Sequence, residues 1–217
     1  MSKTDLVVLG SGGFGREVMW LIETNPKLIE KYSILGYVDD SAEKQGCEIN
    51  GRVIVGNTDT LLSVESETAV VIAVGDPALR KSIYEKLKIN HNLFFPTVIS
   101  ADARVSDYVK MGQGGIICCN TIITVNIEIG DFFISNLDCT VGHDAVIGNF
   151  VTLNPSVNVS GNVTVKDGTN IGTGTNIIQG KIIGSDVIIG AGYVVVKDIP
   201  DSCTAVGVPA VPIKFHN

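Results

Sequence analysis

Residues 141–177, VGHDAVIGNFVTLNPSVNVSGNVTVKDGTNIGTGTNI, decide the fold of this chain. An aliphatic residue returns there every six positions, at Val141, Ile147, Leu153, Val159, Val165, Ile171 and Ile177. Neither the period of 2 of a strand nor the 3.6 of a helix produces such a column. Followed outward, the column runs from Ile99 to Val195 through Val105, Met111, Ile117, Ile123, Ile129, Ser135, Ile183 and Ile189. Sixteen of its seventeen members are apolar, Ser135 being the exception, and no insertion breaks the phase. A solenoid with three flat sides explains this pattern. One aliphatic side chain per side points inward, one turn per corner closes the side, and stacked coils bury a continuous core. Three hexads then make a coil of 18 residues, and the seventeen hexads make between five and six coils. The position after the column is rich in glycine (Gly112, Gly130, Gly142, Gly148, Gly172, Gly184, Gly190). That predicts corners whose backbone angles only glycine adopts freely.

Residues 1–96 have a different rhythm. Apolar runs (DLVVLG, SILGYVDD, TAVVIAVG, NLFFP) alternate with helical patterns (REVMWLIETN, PALRKSIYEKL), the order of a small parallel sheet with crossover helices. Asp76 and Pro77 suit the start of the second helix. GSGGFG at residues 10–15 matches G-x-G-x-x-G between a strand and a helix, where free backbone amides bind phosphate oxygens. Asp39 and Asp40 end the next strand, where a ribose or base edge is read. A dinucleotide needs two such halves and this region provides one, so a single nucleoside diphosphate fits better than NAD. The expected organisation is an α/β Rossmann-like domain over 1–96 and an all-β parallel β-helix with a C-terminal tail over 97–217.

Composition narrows the function classes. The 217 residues carry a formal charge of −7, which disfavours nucleic acid or an anionic membrane as partner. The N-terminus does not read as a signal peptide and no window approaches a membrane span, so a cytoplasmic protein is expected. Five cysteines (Cys47, Cys118, Cys119, Cys139, Cys203) without C-x-x-C spacing indicate reduced thiols, and no metal site is expected.

The hexads resemble those of the hexapeptide-repeat acyltransferases, which implies a left-handed coil. GSGGFGRE, GYVDD, AVGDPALR and the tail VGVPAVPIK extend the resemblance over nearly the whole chain. It is to the sugar O- and N-acetyltransferases that modify nucleotide-linked amino sugars or sialic acid. It implies nucleotide-sugar contacts at Gly12, Gly13, Phe14, Asp39, Asp40 and Gly75. It further implies acetyl-coenzyme A as co-substrate, in a groove between subunits of a homotrimer, touched by Thr152, Thr173, Ala191, Gly172 and Gly190, with Asn136 near the reacting centre. Many relatives have a second histidine where this chain has Thr152.

His143 is the one histidine inside the repeat. Acyl transfer to an amine needs the amine unprotonated, and a neutral imidazole suits that proton removal. The register leaves His143 on an outer corner, because Val141 and Ala145 take the inward positions. Asp144 is its expected orienter, but neighbours in a strand face opposite ways, so the pair meets only if the corner bends the chain. Counting by 18 gives two vertical columns, Asn136/Asn154/Gly172/Gly190 and Val125/His143/Gly161, and the first is expected to rise from beside His143.

The leading expectation is acetyl transfer to the 4-amino group of a nucleotide-linked 4-amino-4,6-dideoxy sugar, for surface polysaccharide or glycan synthesis. O-acetylation of a sialic-acid-type sugar and a non-catalytic, nucleotide-binding trimeric solenoid are the alternatives. A covalent route through Cys139 lacks a second base, and a catalytic zinc would need three histidines.

Overall fold

The computed structural model describes residues 3–216, which form two compact units. The first ends at Ala101 and the second begins at Asp102, so the first hexad side, Val98–Ile99, falls with the N-terminal unit.

In the first unit β1 (Thr4–Leu9), β2 (Tyr32–Val38), β3 (Glu48–Ile49), β4 (Arg52–Gly56), β5 (Thr68–Ile72) and β6 (Leu93–Phe94) form one sheet in the order β3-β4-β2-β1-β5-β6. All its pairings are parallel except β3–β4. The chain moves outward from β1 first to one side and then to the other, which opens a crevice at the carboxyl ends of the strands. β1 and β5 are aliphatic because neighbours cover both faces: Leu6 to Leu9 and Ala69 to Ile72 are buried. Helix α1 (Gly13–Thr24) buries Val18, Met19, Leu21 and Ile22, the spacing of one helix face.

Three elements of this unit went unread in the sequence. Helix α2 (Pro26–Lys31) starts where the Asn25 side chain accepts from the Lys27 N–H with Pro26 in the first turn. The β3–β4 hairpin turns at Asn50 (φ 50°) and Gly51 (φ 78°), the dipeptide that such turns select. Helix α3 (Thr58–Leu62) opens on an Asn57/Thr60 capping box. Helix α4 (Pro77–Leu87) begins as expected, with Asp76 Oδ1 accepting from the Leu79 N–H at 2.8 Å.

The second unit is a parallel β-helix with three faces. Face one stacks six strands, including Ile122–Ile123, Thr140–Val141 and Asn158–Val159; face two stacks five, including Ile127–Ile129, Val146–Ile147 and Thr164–Val165. Face three includes Ile134–Ser135, Thr152–Leu153, Asn170–Ile171 and Ile188–Ile189, and is extended by an antiparallel hairpin of Cys203–Gly207 and Ala210–Phe215. Each strand pairs with the one 18 residues on, as Val141 with Val159 and Leu153 with Ile171. The inward column is buried from Ile117 to Val195. Its polar member, Ser135, is buried beside Thr121, hydroxyl to hydroxyl at 3.3 Å, so it is not left without a partner.

The corners correct the sequence reading of glycine. None of Gly112, Gly130, Gly142, Gly148, Gly172, Gly184 and Gly190 has positive φ. The left-handed residues lie two positions later in each corner from 114 to 192: Asn120, Asn126, Phe132, Asp138, Asp144, Phe150, Ser156, Asn162 and Asp186, with Gly114, Gly168, Gly174, Gly180 and Gly192 completing the series. Six of the seven corner glycines answer a different demand, the close approach of the next coil, while Gly190 faces the side chains of Tyr193 and Val206. A Cβ on Gly172 would lie 2.6 Å from Ala191 N and from Gly190 C. At one corner the space left by Gly130 takes the Asn149 carboxamide, which accepts from the Asp131 N–H at 2.8 Å, and Asp167 repeats this for Asn149.

Candidate active site

His143 and Asp144 occupy the edge between faces one and two, just after Val141. Asp144 has φ 59°, and this left-handed bend removes the alternation that would keep the neighbours apart. The Asp144 N–H donates to Val125 O at 3.1 Å in the coil before, and His143 O accepts from Asn162 N–H at 2.7 Å in the coil after. His143 Nδ1 lies 2.8 Å from Asp144 Oδ2, with both side chains about half exposed. The hydrogen bond from His143, and secondarily one from the Asn126 amide, hold the Asp144 carboxyl below its ordinary range. A carboxylate only accepts, so Nδ1 carries the proton and a neutral ring presents Nε2 as its basic nitrogen. The arrangement can take up a proton at Nε2 and stabilise the imidazolium that results.

Two neighbours complete this edge. Asn126 Nδ2 donates to Asp144 Oδ1 at 3.4 Å, and the His143 ring occupies the space that a side chain on Gly161 would take. Asn126 went unread in the sequence, although it stands 18 residues before Asp144.

Asn136, Asn154, Gly172 and Gly190 stand on a different edge, between faces three and one, and Thr173 and Ala191 follow them there as exposed residues. The expectation that this column rises from beside His143 therefore does not hold within one chain. The offset of seven residues from Asn136 to His143 carries the chain past one further corner, whereas only multiples of 18 stay on an edge. Asn136 Oδ1 accepts from the Leu137 N–H at 2.7 Å, and Asn154 Nδ2 donates to Asn170 Oδ1 and Ile171 O. Thr152 lies in a strand of face three and is buried. Cys139 is wholly buried, and burial pushes its thiol pKa up, the reverse of what a nucleophile needs.

In the first unit the glycine loop sits at the carboxyl end of β1. Its glycines divide into two kinds. Gly10 has φ 105° and a Cβ there would meet Ala73 O at 2.9 Å, while a Cβ on Gly15 would strike Gly10 O. Gly12 and Gly13 meet nothing closer than Arg16, 4.0 Å from Gly13, and a Cβ on Gly75 meets nothing at all. The chain itself makes no steric demand for glycine at 12, 13 or 75. Gly12 is the N-cap of α1 and offers no side chain to its amides, and Phe14 follows half-buried in the first turn.

The two aspartates differ in role. Asp39 Oδ2 accepts from the Ser11 N–H at 3.0 Å and from the Ser11 hydroxyl, and lies 3.2 Å from Lys44 Nζ; Oδ1 accepts from the Ser41 N–H. Burial raises the Asp39 pKa, but these hydrogen bonds outweigh it and bring the pKa to about 2. Asp40 accepts from both the N–H (2.7 Å) and the hydroxyl (2.9 Å) of Thr58. Arg80, fully buried, braces the opposite wall: its Nη1 donates to Val74 O at 2.6 Å and to Gly75 O at 3.1 Å. Lys44 and Arg80 carried no motif signal of their own.

A three-faced parallel coil of 18 residues with a His–Asp pair on one edge, preceded by a glycine-loop α/β unit, defines a hexapeptide-repeat protein with a nucleotide-type N-terminal domain. Comparison with known proteins agrees. Residues 5–87 match the family described as PglD N-terminal domain. The acetyltransferase domain of PglB from Neisseria gonorrhoeae, solved with acetyl coenzyme A, is 33% identical over 98% of this chain and 100% of its own, with a TM-score of 0.89. PerB from Caulobacter crescentus, solved with CoA and GDP-perosamine, is 30% identical over 98% of this chain and 99% of its own, with a TM-score of 0.88. Further structures of that enzyme with the same two molecules have one histidine replaced by asparagine or alanine. An Escherichia coli GDP-perosamine N-acetyltransferase is 30% identical over 146 residues, 66% of this chain and 64% of its own length. The chain belongs to this family of left-handed β-helix sugar acetyltransferases. No helix among the described residues is long and apolar enough to cross a membrane.

Proposed function

We propose that this protein transfers acetyl from acetyl-coenzyme A to the 4-amino group of a nucleotide-linked 4-amino-4,6-dideoxy sugar, with His143 as general base. The observation that carries the reading is the His143–Asp144 pair, 2.8 Å apart on an exposed edge of the repeat, with Nε2 left as the basic nitrogen. The amine attacks the thioester carbonyl carbon and forms the C–N bond. Its proton passes to Nε2, the C–S bond breaks, and the coenzyme A thiolate leaves and takes up the proton. Acetyl-coenzyme A is the donor bound by the Neisseria gonorrhoeae relative, and GDP-perosamine is bound by the Caulobacter crescentus relative.

Gly12, Gly13 and Gly75 support nucleotide binding by the first unit, because glycine there leaves room that the chain itself does not use. A phosphate at the uncapped start of α1 would meet free amides and the positive end of the helix. Asp39 would act through Ser11, holding the loop in shape, and Asp40 through Thr58, while Phe14 would flank the nucleotide. Thr152, Thr173, Ala191, Gly172 and Gly190 are proposed as coenzyme A contacts, with Asn136 close to the thioester. Because His143 and the Asn136 column stand on different edges of one coil, a complete site requires the edge of a second copy, which supports a homotrimer with sites between subunits. A cytoplasmic enzyme that supplies acetylated sugars for surface polysaccharide follows from this reading.

The test is a panel of nucleotide-linked amino sugars incubated with acetyl-coenzyme A, following thiol release and product mass. Transfer to an amino sugar but not to its hydroxyl counterpart is expected; acetylation of hydroxyls alone would move the reading to O-acetylation of a sialic-acid-type sugar.

A further inference from the structure

We infer that Gly161 is a positioning residue for His143: the lack of a side chain at 161 provides the seat on which the imidazole lies with Nε2 correctly placed. This rests on the reading of His143 as the base. A Cβ built on Gly161 has three nearest neighbours, His143 Nε2 at 2.5 Å, Cε1 at 2.6 Å and Cδ2 at 3.0 Å. All three are atoms of one ring. Gly161 stands 18 residues after His143, directly in the next coil, and the two are tied through the adjacent Asn162 N–H to His143 O bond at 2.7 Å.

Comparison with Gly142 and Gly172 separates this role from coil stacking. At Gly142 and Gly172 an added Cβ strikes backbone, with Gly161 N and Ala191 N each 2.6 Å away. Those glycines are required by coil stacking. Gly161 has no positive φ and its Cβ would meet no backbone among its nearest three atoms. What it would meet is the far end of a half-exposed side chain, which can swing into solvent. The fold therefore tolerates alanine at 161, and the position of the ring does not. Ordinary contact begins at 3.4 Å, so Nε2 must retreat by about 0.9 Å (3.4 − 2.5). A displacement on the order of 1 Å at a reacting group costs roughly 100-fold in rate.

The test is Gly161→Ala, alongside His143→Ala, read in two ways. The first is steady-state kinetics with each substrate varied: kcat should fall about 100-fold, with both KM values within about threefold of wild type. The second uses no substrate: imidazole 1H–15N spectra should show the His143 resonance, assigned by its loss in His143→Ala, shifted in Gly161→Ala while those of His91 and His216 stay in place. Thermal unfolding should stay within about 2 °C of wild type. An unchanged kcat with an unmoved ring resonance overturns the inference, as does a rise in the acetyl-coenzyme A KM that accounts for the whole loss, or a large fall in Tm. If His143→Ala retains near-full turnover, the base assignment fails instead, and the spectra still report whether Gly161 seats the ring.

Discussion

Replacing Gly172 with alanine tests the reason that glycine recurs at the corners. Its Cβ would lie 2.6 Å from Ala191 N, 2.6 Å from Gly190 C and 2.7 Å from Ile189 O, all backbone atoms of the next coil. Reaching ordinary contact at 3.4 Å forces the two coils apart by about 0.8 Å (3.4 − 2.6). The bond from Gly172 N–H to Ile189 O, 2.8 Å long, spans that same gap. Overpacking of this kind costs about 1–3 kcal/mol and a weakened backbone hydrogen bond about 1 kcal/mol. The reduced freedom of alanine in the unfolded chain returns about 0.4–1 kcal/mol. The net loss is about 1–3.6 kcal/mol, and for a chain of this size each kcal/mol moves Tm by about 2–4 °C. Calorimetry of Gly172→Ala should therefore show the β-helix transition lowered by roughly 2–14 °C. A Tm within 2 °C of wild type would refute the stacking argument and leave cofactor binding as the sole reason for glycine there.

Three further outcomes follow from the site. Asp144→Asn keeps the shape but removes the anion that holds the proton on Nδ1, so kcat should fall by about 100-fold or more while both KM values hold, as a transition-state loss does. Asn126→Ala frees one carboxylate oxygen of Asp144 and should lower kcat by a smaller factor, about 3- to 10-fold, with Tm near wild type, since exposed hydrogen bonds contribute little to stability. The folded pKa of Asp39, about 2, lies below its value in the unfolded chain. Its contribution, on the order of 2 kcal/mol, is thus present above about pH 4 and lost as pH falls through about 2. Denaturant titrations should show the stability difference between wild type and Asp39→Asn shrinking over that window; a difference independent of pH would remove Asp39 from the loop's support.

The solenoid was legible because its signal is set by stacking: an inward aliphatic every six residues has no competing explanation over seventeen hexads. The corner chemistry was legible but misread. Two demands fall within three residues of each other, close approach after the column and left-handed φ two positions later, and glycine satisfies either. The second demand also selects Asn and Asp, and the run Asn120, Asn126, Asp138, Asp144, Asn162 and Asp186 carries that signal at the same period. Read that way, the bend that brings Asp144 to His143 is in the sequence. The separation of Asn136 from His143 is there too, but only when offsets are counted in coils of 18. In the first unit the strands β1 and β5 announced themselves through aliphatic runs, and β2 through the apolar residues of SILGYV ahead of Asp39 and Asp40. The hairpin of β3 and β4 did not, because its strands are short and half exposed, and its one strong mark is the Asn50–Gly51 turn. Lys44 acts on the Asp39 carboxylate and the Ser11 hydroxyl beside the glycine loop, and Arg80 on the carbonyls of Val74 and Gly75, contacts that leave no pattern in sequence.

Whether His143 removes the proton from the attacking amine is read from a paired turnover measurement. Wild type and His143→Ala are compared with saturating acetyl-coenzyme A and a nucleotide-linked 4-amino sugar, after binding of both substrates to both proteins has been verified by calorimetry. Binding should stay within a few-fold of wild type and kcat should fall by roughly 100- to 10,000-fold, the range for loss of a general base. Near-full turnover by His143→Ala would contradict that role.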